Sequence, residues 1–364
     1  MAFSLFKKKK NSKDDRYQTL KVREVVHVAK DAVNLVFEKP ESFEYEPGQF
    51  ITLIKEVNGK KIRRAYSLCT TPFEDEHPAV TVKRVDGGSM SNDLNDNAKA
   101  GDEIEVMEPM GMFTTTYKSE NTRNAVFFGG GSGITPLMSI AKSALDQEPD
   151  TVVSLIYCNQ NMESVIFREQ LEEMILSSLE RFHLVHVLEK PSDMVESYEG
   201  WLTEDIIKDA LAKLPQRPAA QTEYFTCGPA PMMDVVENSL KGLGIDLANF
   251  HKESFVAATD TKEEAPEEVS EEIIAREVTV IYDDEEYKYV VEPGETILEK
   301  GLDQDIDLPF SCQSGLCTAC RGKCVSGKVK MDEEEGLSEA EIDEGYVLPC
   351  VGHPLTEDVV IEIG

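Results

Sequence analysis

The placing of five cysteines constrains this chain more than any other feature of it. Cys312, Cys317 and Cys320 follow the pattern C-x4-C-x2-C, and Cys350 comes after 29 further residues. Five of the eight cysteines, Cys324 included, fall in one 39-residue window, while Cys69, Cys158 and Cys227 are scattered. A secreted disulfide framework would be smaller, with cysteines more evenly spread. A zinc site usually shows two C-x2-C pairs. Two irons bridged by two sulfides need four thiolates, and here a tight loop offers three and a distant strand the fourth. Ser314 and Gly315 let the loop backbone wrap close, so that its N–H groups can hydrogen-bond sulfur. The expected metal ligands are Cys312, Cys317, Cys320 and Cys350, and Cys324 reads as a packing residue beside them.

The rest of the 364 residues must house at least one more domain, at roughly 100–200 residues each. Residues 17–117 read as short strands (KVREVVHVA, AVNLVFEK, QFITLIKE, AVTVKRV, DEIEVMEP) separated by turn residues, the pattern of a small antiparallel β-barrel. Near residue 124 the pattern changes to alternating strands and helices, which implies an α/β lobe with a parallel sheet covered on both faces. Within it NAVFFGG is a strand, and Thr135 and Pro136 suit the opening of the following helix. Residues 257–272, AATDTKEEAPEEVSEE, read as a solvated acidic linker. From residue 276 a compact α+β unit follows: a hairpin, a short helix, the cysteine loop and a closing strand. The expected borders are a basic tail at 1–15, a barrel domain at 16–118, a nucleotide domain at 119–256, a linker at 257–274 and a cysteine-rich domain at 275–364.

The net charge is −32, of which residues 257–364 carry −21, with 29 acidic and 8 basic side chains. Such a surface repels nucleic acid and suits a protein partner with a basic docking surface. No stretch is apolar enough to span a membrane. The start, MAFSLFKKKK, reverses the order of a secretory signal, so a cytoplasmic protein is expected.

Three further motifs stand in order. Arg64-Ala65-Tyr66-Ser67 is followed by Val82, Lys83 and Gly88-Ser89-Met90-Ser91. A flavin dinucleotide needs a cation for its pyrophosphate, a flat ring against the isoalloxazine, a hydroxyl near N5 and small residues at phosphate. Next comes Gly129-Gly130-Gly131-Ser132-Gly133-Ile134-Thr135-Pro136, between a strand and a helix, where backbone and helix N-terminus can meet a pyrophosphate. No Lys-Ser/Thr pair follows, which disfavours a P-loop ATPase. Last comes Cys227-Gly228-Pro229, whose cysteine could sit beside a nicotinamide ring or be a buried small thiol. Glu253 and Phe255, in HKESF, either approach the flavin or pack at the lobe's end.

In this order the motifs of residues 16–256 resemble the ferredoxin–NADP reductase superfamily, and residues 276–364 resemble a plant-type [2Fe–2S] ferredoxin domain of β-grasp fold. The whole chain is similar to the oxygenase reductases, the group that includes the reductase component of phenylacetyl-CoA epoxidase. The resemblance implies FAD held by Arg64, Ala65, Tyr66, Ser67, Val82, Lys83, Gly88, Met90 and Ser91. It implies NADH or NADPH held by Gly129 to Pro136 and Cys227 to Pro229, with Ser67 and Cys227 catalytic. Some relatives that use NADPH place an arginine after the second strand of the nucleotide lobe; here that stretch is Tyr157-Cys158-Asn159-Gln160-Asn161, and Arg168 is the nearest substitute. Nicotinamide gives two electrons, the cluster takes one at a time, and flavin handles both. The implied function is electron transfer from NAD(P)H through FAD and cluster to an oxygenase. A fatty-acid desaturase or another haem or di-iron protein is the alternative acceptor, and a non-catalytic redox sensor is the alternative class.

Overall fold

The computed structural model describes residues 17–57, 59–178, 180–191, 195–218, 221–255, 274–283, 285–313, 315, 317–334, 336–337 and 339–363. The expected basic tail, Ser314 and residues 257–273 of the expected linker lie outside the described residues.

The first domain is a six-stranded antiparallel sheet of β1 (Tyr17–Ala29), β2 (Ala32–Phe37), β3 (Phe50–Val57), β4 (Lys60–Ser67), β5 (Ala79–Lys83) and β6 (Glu103–Met107), in the order β4-β3-β6-β1-β2-β5. Its two edges meet through a bridge between Leu68 and Val80, and the Cys69 N–H donates to the Ala79 carbonyl at 2.9 Å, which closes the barrel. Alternation sends Leu20, Val22, Val33, Leu35, Ile51 and Leu53 inward. Two elements go beyond the sequence expectation. KKIRRAYS is a strand, β4, although four cations hide its pattern; pairing with β3 along its whole length holds it. The stretch expected to be a loop after Gly88 winds into α1 (Ser89–Asn97). Ser, Asn and Asp favour turns, but Met90 and Leu94, one helical turn apart, are buried in the barrel and decide the conformation.

The second domain has a wholly parallel sheet: β7 (Asn124–Gly130), β8 (Val152–Asn159), β9 (Phe182–Leu188), β10 (Ser197–Glu199), β11 (Thr222–Gly228) and β12 (Phe250–Ser254), ordered β10-β9-β8-β7-β11-β12. Helices α2 (Ile134–Gln147), α3 (Arg168–Ser177), α4 (Glu204–Lys213) and α5 (Ala230–Gly242) alternate with the strands. The strand order reverses between β7 and β11, and a ligand crevice opens at the carboxyl ends of strands at such a point. At the opposite end Arg123 donates to Glu148 at 3.0 and 2.7 Å and pairs with Glu223 at 2.7 Å, with Glu148 fully buried. Thr135 does not cap α2. Gly131–Gly133 first forms a 3-10 turn, α2 opens at Ile134, and the Thr135 hydroxyl donates to the Ser132 carbonyl at 3.0 Å. Helix α3 starts later than its sequence suggests, because Val165, Ile166 and Phe167 drop into the core.

The third domain has β13 (Arg276–Tyr282), β14 (Glu285–Val291), α6 (Ile297–Asp303), β15 (Gly322–Ser326), β16 (Val329–Met331), α7 (Glu339–Asp343), β17 (Tyr346–Val347), β18 (Gly352–Pro354) and β19 (Val359–Ile363). Its main sheet is ordered β14-β13-β19-β15-β17, with β13 and β19 parallel at the centre and α6 packed over it: a β-grasp. Thr296 and Glu299 cap α6 reciprocally. Among the described residues no helix is long and apolar enough to cross a membrane.

Candidate functional site

A cavity of ≈ 500 Å³ opens where the barrel meets the carboxyl ends of β7 and β11. Three of the sequence motifs converge on it. Arg64, Ala65, Tyr66 and Ser67 arrive on β4 and Lys83 at the end of β5. Gly88, Met90 and Ser91 come from the first turn of α1, Gly130, Gly131, Ser132 and Thr135 from the turn after β7, and Gly228 and Pro229 from the end of β11. Phe255 completes the lining, with Thr81, Val85 and Asp86, which carry no motif. Six expected residues stand behind the wall instead. Val82 is in the barrel core, Gly129 and Gly133 pack against β8 and β11, Ile134 and Pro136 are buried on α2, and Cys227 is buried under Gly228.

The chemistry of the wall matches a dinucleotide. Lys83 Nζ lies 3.1 Å from where a Cβ on Gly131 would sit, so an ammonium faces the glycine turn. The N-terminus of α1 supplies backbone donors on the barrel side. Ser67 Oγ is buried with no hydrogen-bond partner among the described residues, an orphan polar atom beside the cavity that a bound group would satisfy. Burial pushes the Tyr66 phenol far up, which keeps the ring neutral. Burial and then Glu253 push the Cys227 thiol up. Glu253, beside Cys227 in the β11–β12 ladder, is itself pushed up to about 8 by burial and by Cys312. Arg168 is held by Glu172 at 2.9 Å, and Asn159 is buried with its amide unpartnered among the described residues.

Gly133 shows how little room the wall leaves. A Cβ there would stand 2.0 Å from the Cys227 carbonyl oxygen, a backbone atom that cannot swing aside. Gly133→Ala is expected to cost about 1–3 kcal/mol and to lower Tm by about 2–4 °C per kcal/mol. A thermal melt of the variant against the parent checks this; an unchanged melt would mean that β11 gives way freely.

The four cysteines of the loop motif come together. The Cys317 thiol is hydrogen-bonded with that of Cys312, and the Cys350 thiol with those of Cys312 and Cys320. These contacts and burial push Cys317 and Cys350 far up, so four thiolates could coexist here only around strong positive charge, as a ferric pair provides. Among the described residues no three His, Cys, Asp or Glu side chains are arranged about a single metal ion. The four thiols form one connected group, with Cys312 touching both Cys317 and Cys350 and Cys350 also touching Cys320, a gathering of four donors that suits a two-iron cluster. Cys324 stands apart on β15 and donates to the Ser326 carbonyl at 3.1 Å.

Comparison with known proteins agrees with this division. Residues 19–115 match an oxidoreductase FAD-binding domain, residues 127–238 an oxidoreductase NAD-binding domain, and residues 280–355 a 2Fe-2S iron-sulfur cluster binding domain. The ferredoxin reductase component of 3-ketosteroid-9-alpha-monooxygenase from Rhodococcus rhodochrous is 38% identical over 352 residues, covering 94% of this chain and 96% of that protein. One of the components of 1,2-phenylacetyl-CoA epoxidase from Escherichia coli K12 is 32% identical over 352 residues, covering 95% of this chain and 97% of that protein. The structure of phthalate dioxygenase reductase superposes with a TM-score of 0.58 at 21% identity, covering 96% of this chain and 99% of that one, and shares the fold. Matched over nearly their whole length by such relatives, these three domains place the chain in the family of NAD(P)H-dependent oxygenase reductase components.

Proposed function

We propose that the chain draws electrons from NAD(P)H into FAD bound in the cavity and passes them through a [2Fe–2S] cluster to an oxygenase such as phenylacetyl-CoA epoxidase. The observation that carries this is the convergence of the β4 motif, the glycine turn and the end of β11 on one cavity. When bound, the flavin accepts a hydride and gives single electrons, and the cluster carries one electron at a time.

The chain's own residues bind and orient. Arg64 and the first turn of α1 at Gly88, Met90 and Ser91 would hold the FAD pyrophosphate, with Ala65 and Lys83 shaping the wall and Val82 supporting it from the barrel core. Tyr66 would offer its ring face to the flavin, and the unpartnered Ser67 hydroxyl would supply a donor to it. The turn from Gly129 to Pro136 and the segment from Cys227 to Pro229 seat the nicotinamide nucleotide. Cys227, kept as a thiol by burial, supports that ring from beneath Gly228 and excludes water. Cys312, Cys317, Cys320 and Cys350 would together hold the two irons of the cluster. The domains divide as 16–118, 119–256 and 275–364, with 1–15 a tail and 257–274 a linker. The acceptor docks through a basic surface against the acidic C-terminal domain. A cytoplasmic site suits eight cysteines that form no disulfide.

Arg64→Ala tests the flavin assignment. Removing one charge-assisted phosphate contact is worth about 1.5–3 kcal/mol, roughly ten- to a hundredfold in affinity. Flavin retention on dilution should fall by that factor, and unchanged retention would remove Arg64 from the site.

A further inference from the structure

The turn that carries Cys350 is gripped from two sides. The Leu298 N–H, on α6, donates to the Pro349 carbonyl at 2.9 Å, and the Asp332 N–H, just past β16, donates to the Val351 carbonyl at 3.0 Å. The Leu348 N–H reaches the Met331 sulfur at 3.2 Å. One side chain ties these two grips to each other. His353, on β18 and shortly past Cys350, is only 7% exposed. Its Nδ1 lies 2.9 Å from the carbonyl oxygen of Glu295, just ahead of α6, and its Nε2 lies 2.9 Å from Asp332 Oδ2.

The nature of the two partners decides what the ring must carry. A neutral imidazole has one N–H and one lone pair, whereas a carbonyl and an ionised carboxylate only accept. Both contacts are hydrogen bonds only when both nitrogens are protonated, in the imidazolium. In the neutral ring one nitrogen sets its lone pair against an oxygen, which forfeits a bond in a buried place. Charged groups on the neighbouring elements are Lys330 and Asp332 of the β16 segment, Glu295, Glu299 and Lys300 at the start of α6, and Arg276 on β13. The Glu295 carboxylate is engaged with Lys300 at 3.1 Å and accepts from the Glu292 N–H at 3.1 Å. Glu299 caps Thr296, and Arg276 donates to the Pro354 carbonyl at 3.0 Å. Lys330, exposed and opposite His353 in the β16–β18 ladder, works against a charge on the ring. The Asp332 carboxylate works for it, from hydrogen-bond distance, where such pairing is strongest.

We propose, resting on the assignment of Cys350 as a cluster ligand, that His353 is a positioning residue for that ligand and works as an imidazolium. The charged ring pins the segment ahead of α6 to the end of β16, the same two segments that grip the Cys350 turn, and so holds the cysteine in place. The sign of the pH dependence follows. Pairing with Asp332 favours the protonated ring, so the clamp is complete at low pH and opens as the pH rises and the proton leaves. An open clamp loosens the Cys350 turn, and the cluster is lost more readily. A contact that served packing alone would have no such dependence.

Two substitutions at Asp332, which is 60% exposed, test this in the full-length holoprotein. An asparagine amide can accept from a protonated nitrogen or donate to a bare one, so Asp332→Asn satisfies the ring in either form. Asp332→Ala satisfies neither. The readout is the rate at which the visible charge-transfer bands decay in EDTA, from about pH 6 to about pH 8.5, a span across which imidazoles change charge. Each variant is compared with the parent at the same pH, which cancels the pH dependence of the chelator and of the cluster itself. At about pH 6 Asp332→Asn should match the parent within roughly twofold. At about pH 8.5 it should keep its bands roughly tenfold longer, the worth of a charge-assisted bond lost in the parent and not in the variant. Asp332→Ala should lose its bands faster than the parent at about pH 6. A ratio of Asp332→Asn to parent that stays flat with pH would overturn the clamp, and so would Asp332→Ala behaving like the parent at about pH 6. A parent protein with no visible bands and no iron would fell the cluster assignment itself, and the clamp with it.

Discussion

Alanine in place of Cys312, Cys317, Cys320 or Cys350 is expected to abolish the visible charge-transfer bands of the protein, while Cys324→Ala keeps them. The four thiols are in mutual contact and the fifth is not: Cys324 lies on β15, its sulfur engaged with the Ser326 carbonyl. A cluster that loses one of four ligands leaves one iron with an open position beside a core made mostly of aliphatic and aromatic side chains. Absorption spectra and iron content of the five variants decide the matter. Loss of the bands in Cys324→Ala, with retention in any of the other four, would show that the ligand set is drawn wrongly.

Cutting the chain near Ala265 should give the second large effect. The remaining barrel and nucleotide domains keep their own cores and the whole cavity. They should therefore hold FAD and oxidise NAD(P)H with ferricyanide at a rate close to the intact chain's. Cytochrome c reduction should fall to a small residue, and transfer to an oxygenase should vanish, because the domain that binds the one-electron [2Fe–2S] carrier is gone. In the intact chain this exit should weaken with salt, since at about 0.15 M surface attraction reaches only about 8 Å. A truncated protein that drove an oxygenase at full rate would make the flavin the direct donor.

The parts of the molecule legible in the sequence are those whose signal is local. C-x4-C-x2-C is a loop property, and NAVFFGG followed by GSGITP marks a strand, a turn and a helix within a dozen residues. Strand β4 is hidden because its side chains are mostly cationic and its stability comes from pairing with β3. Helix α1 is hidden because seven of its nine residues are polar and only Met90 and Leu94 anchor it. Thr81, Val85 and Asp86 reach the cavity through the curl of β5, which no spacing rule anticipates. Arg63 stands unmarked beside its motif neighbour Arg64, since its partner Asp307 lies 244 residues away and becomes visible only when the domains meet.

The parallel sheet of the nucleotide domain has two ends with separate duties, and that polarity matters to anyone wishing to harden the enzyme. The buried Arg123–Glu148–Glu223 cluster ties the amino ends of β7, β8 and β11, while the glycine turn and Pro229 stand at the carboxyl ends. Seven residues of β7 separate them, about 23 Å at 3.3 Å per residue. At that amino end Arg217 donates to the Asp150 carbonyl at 2.7 Å and Arg181 to the Glu148 carbonyl at 3.1 Å, and substitutions that tighten the turns there are expected to raise thermal tolerance away from the proposed coenzyme cavity. Those near Gly130 or Gly228, which line the proposed coenzyme cavity, are expected to trade tolerance against turnover. A directed-evolution library for this scaffold would gain from being split along that axis, with stability sought at one pole and coenzyme choice at the other.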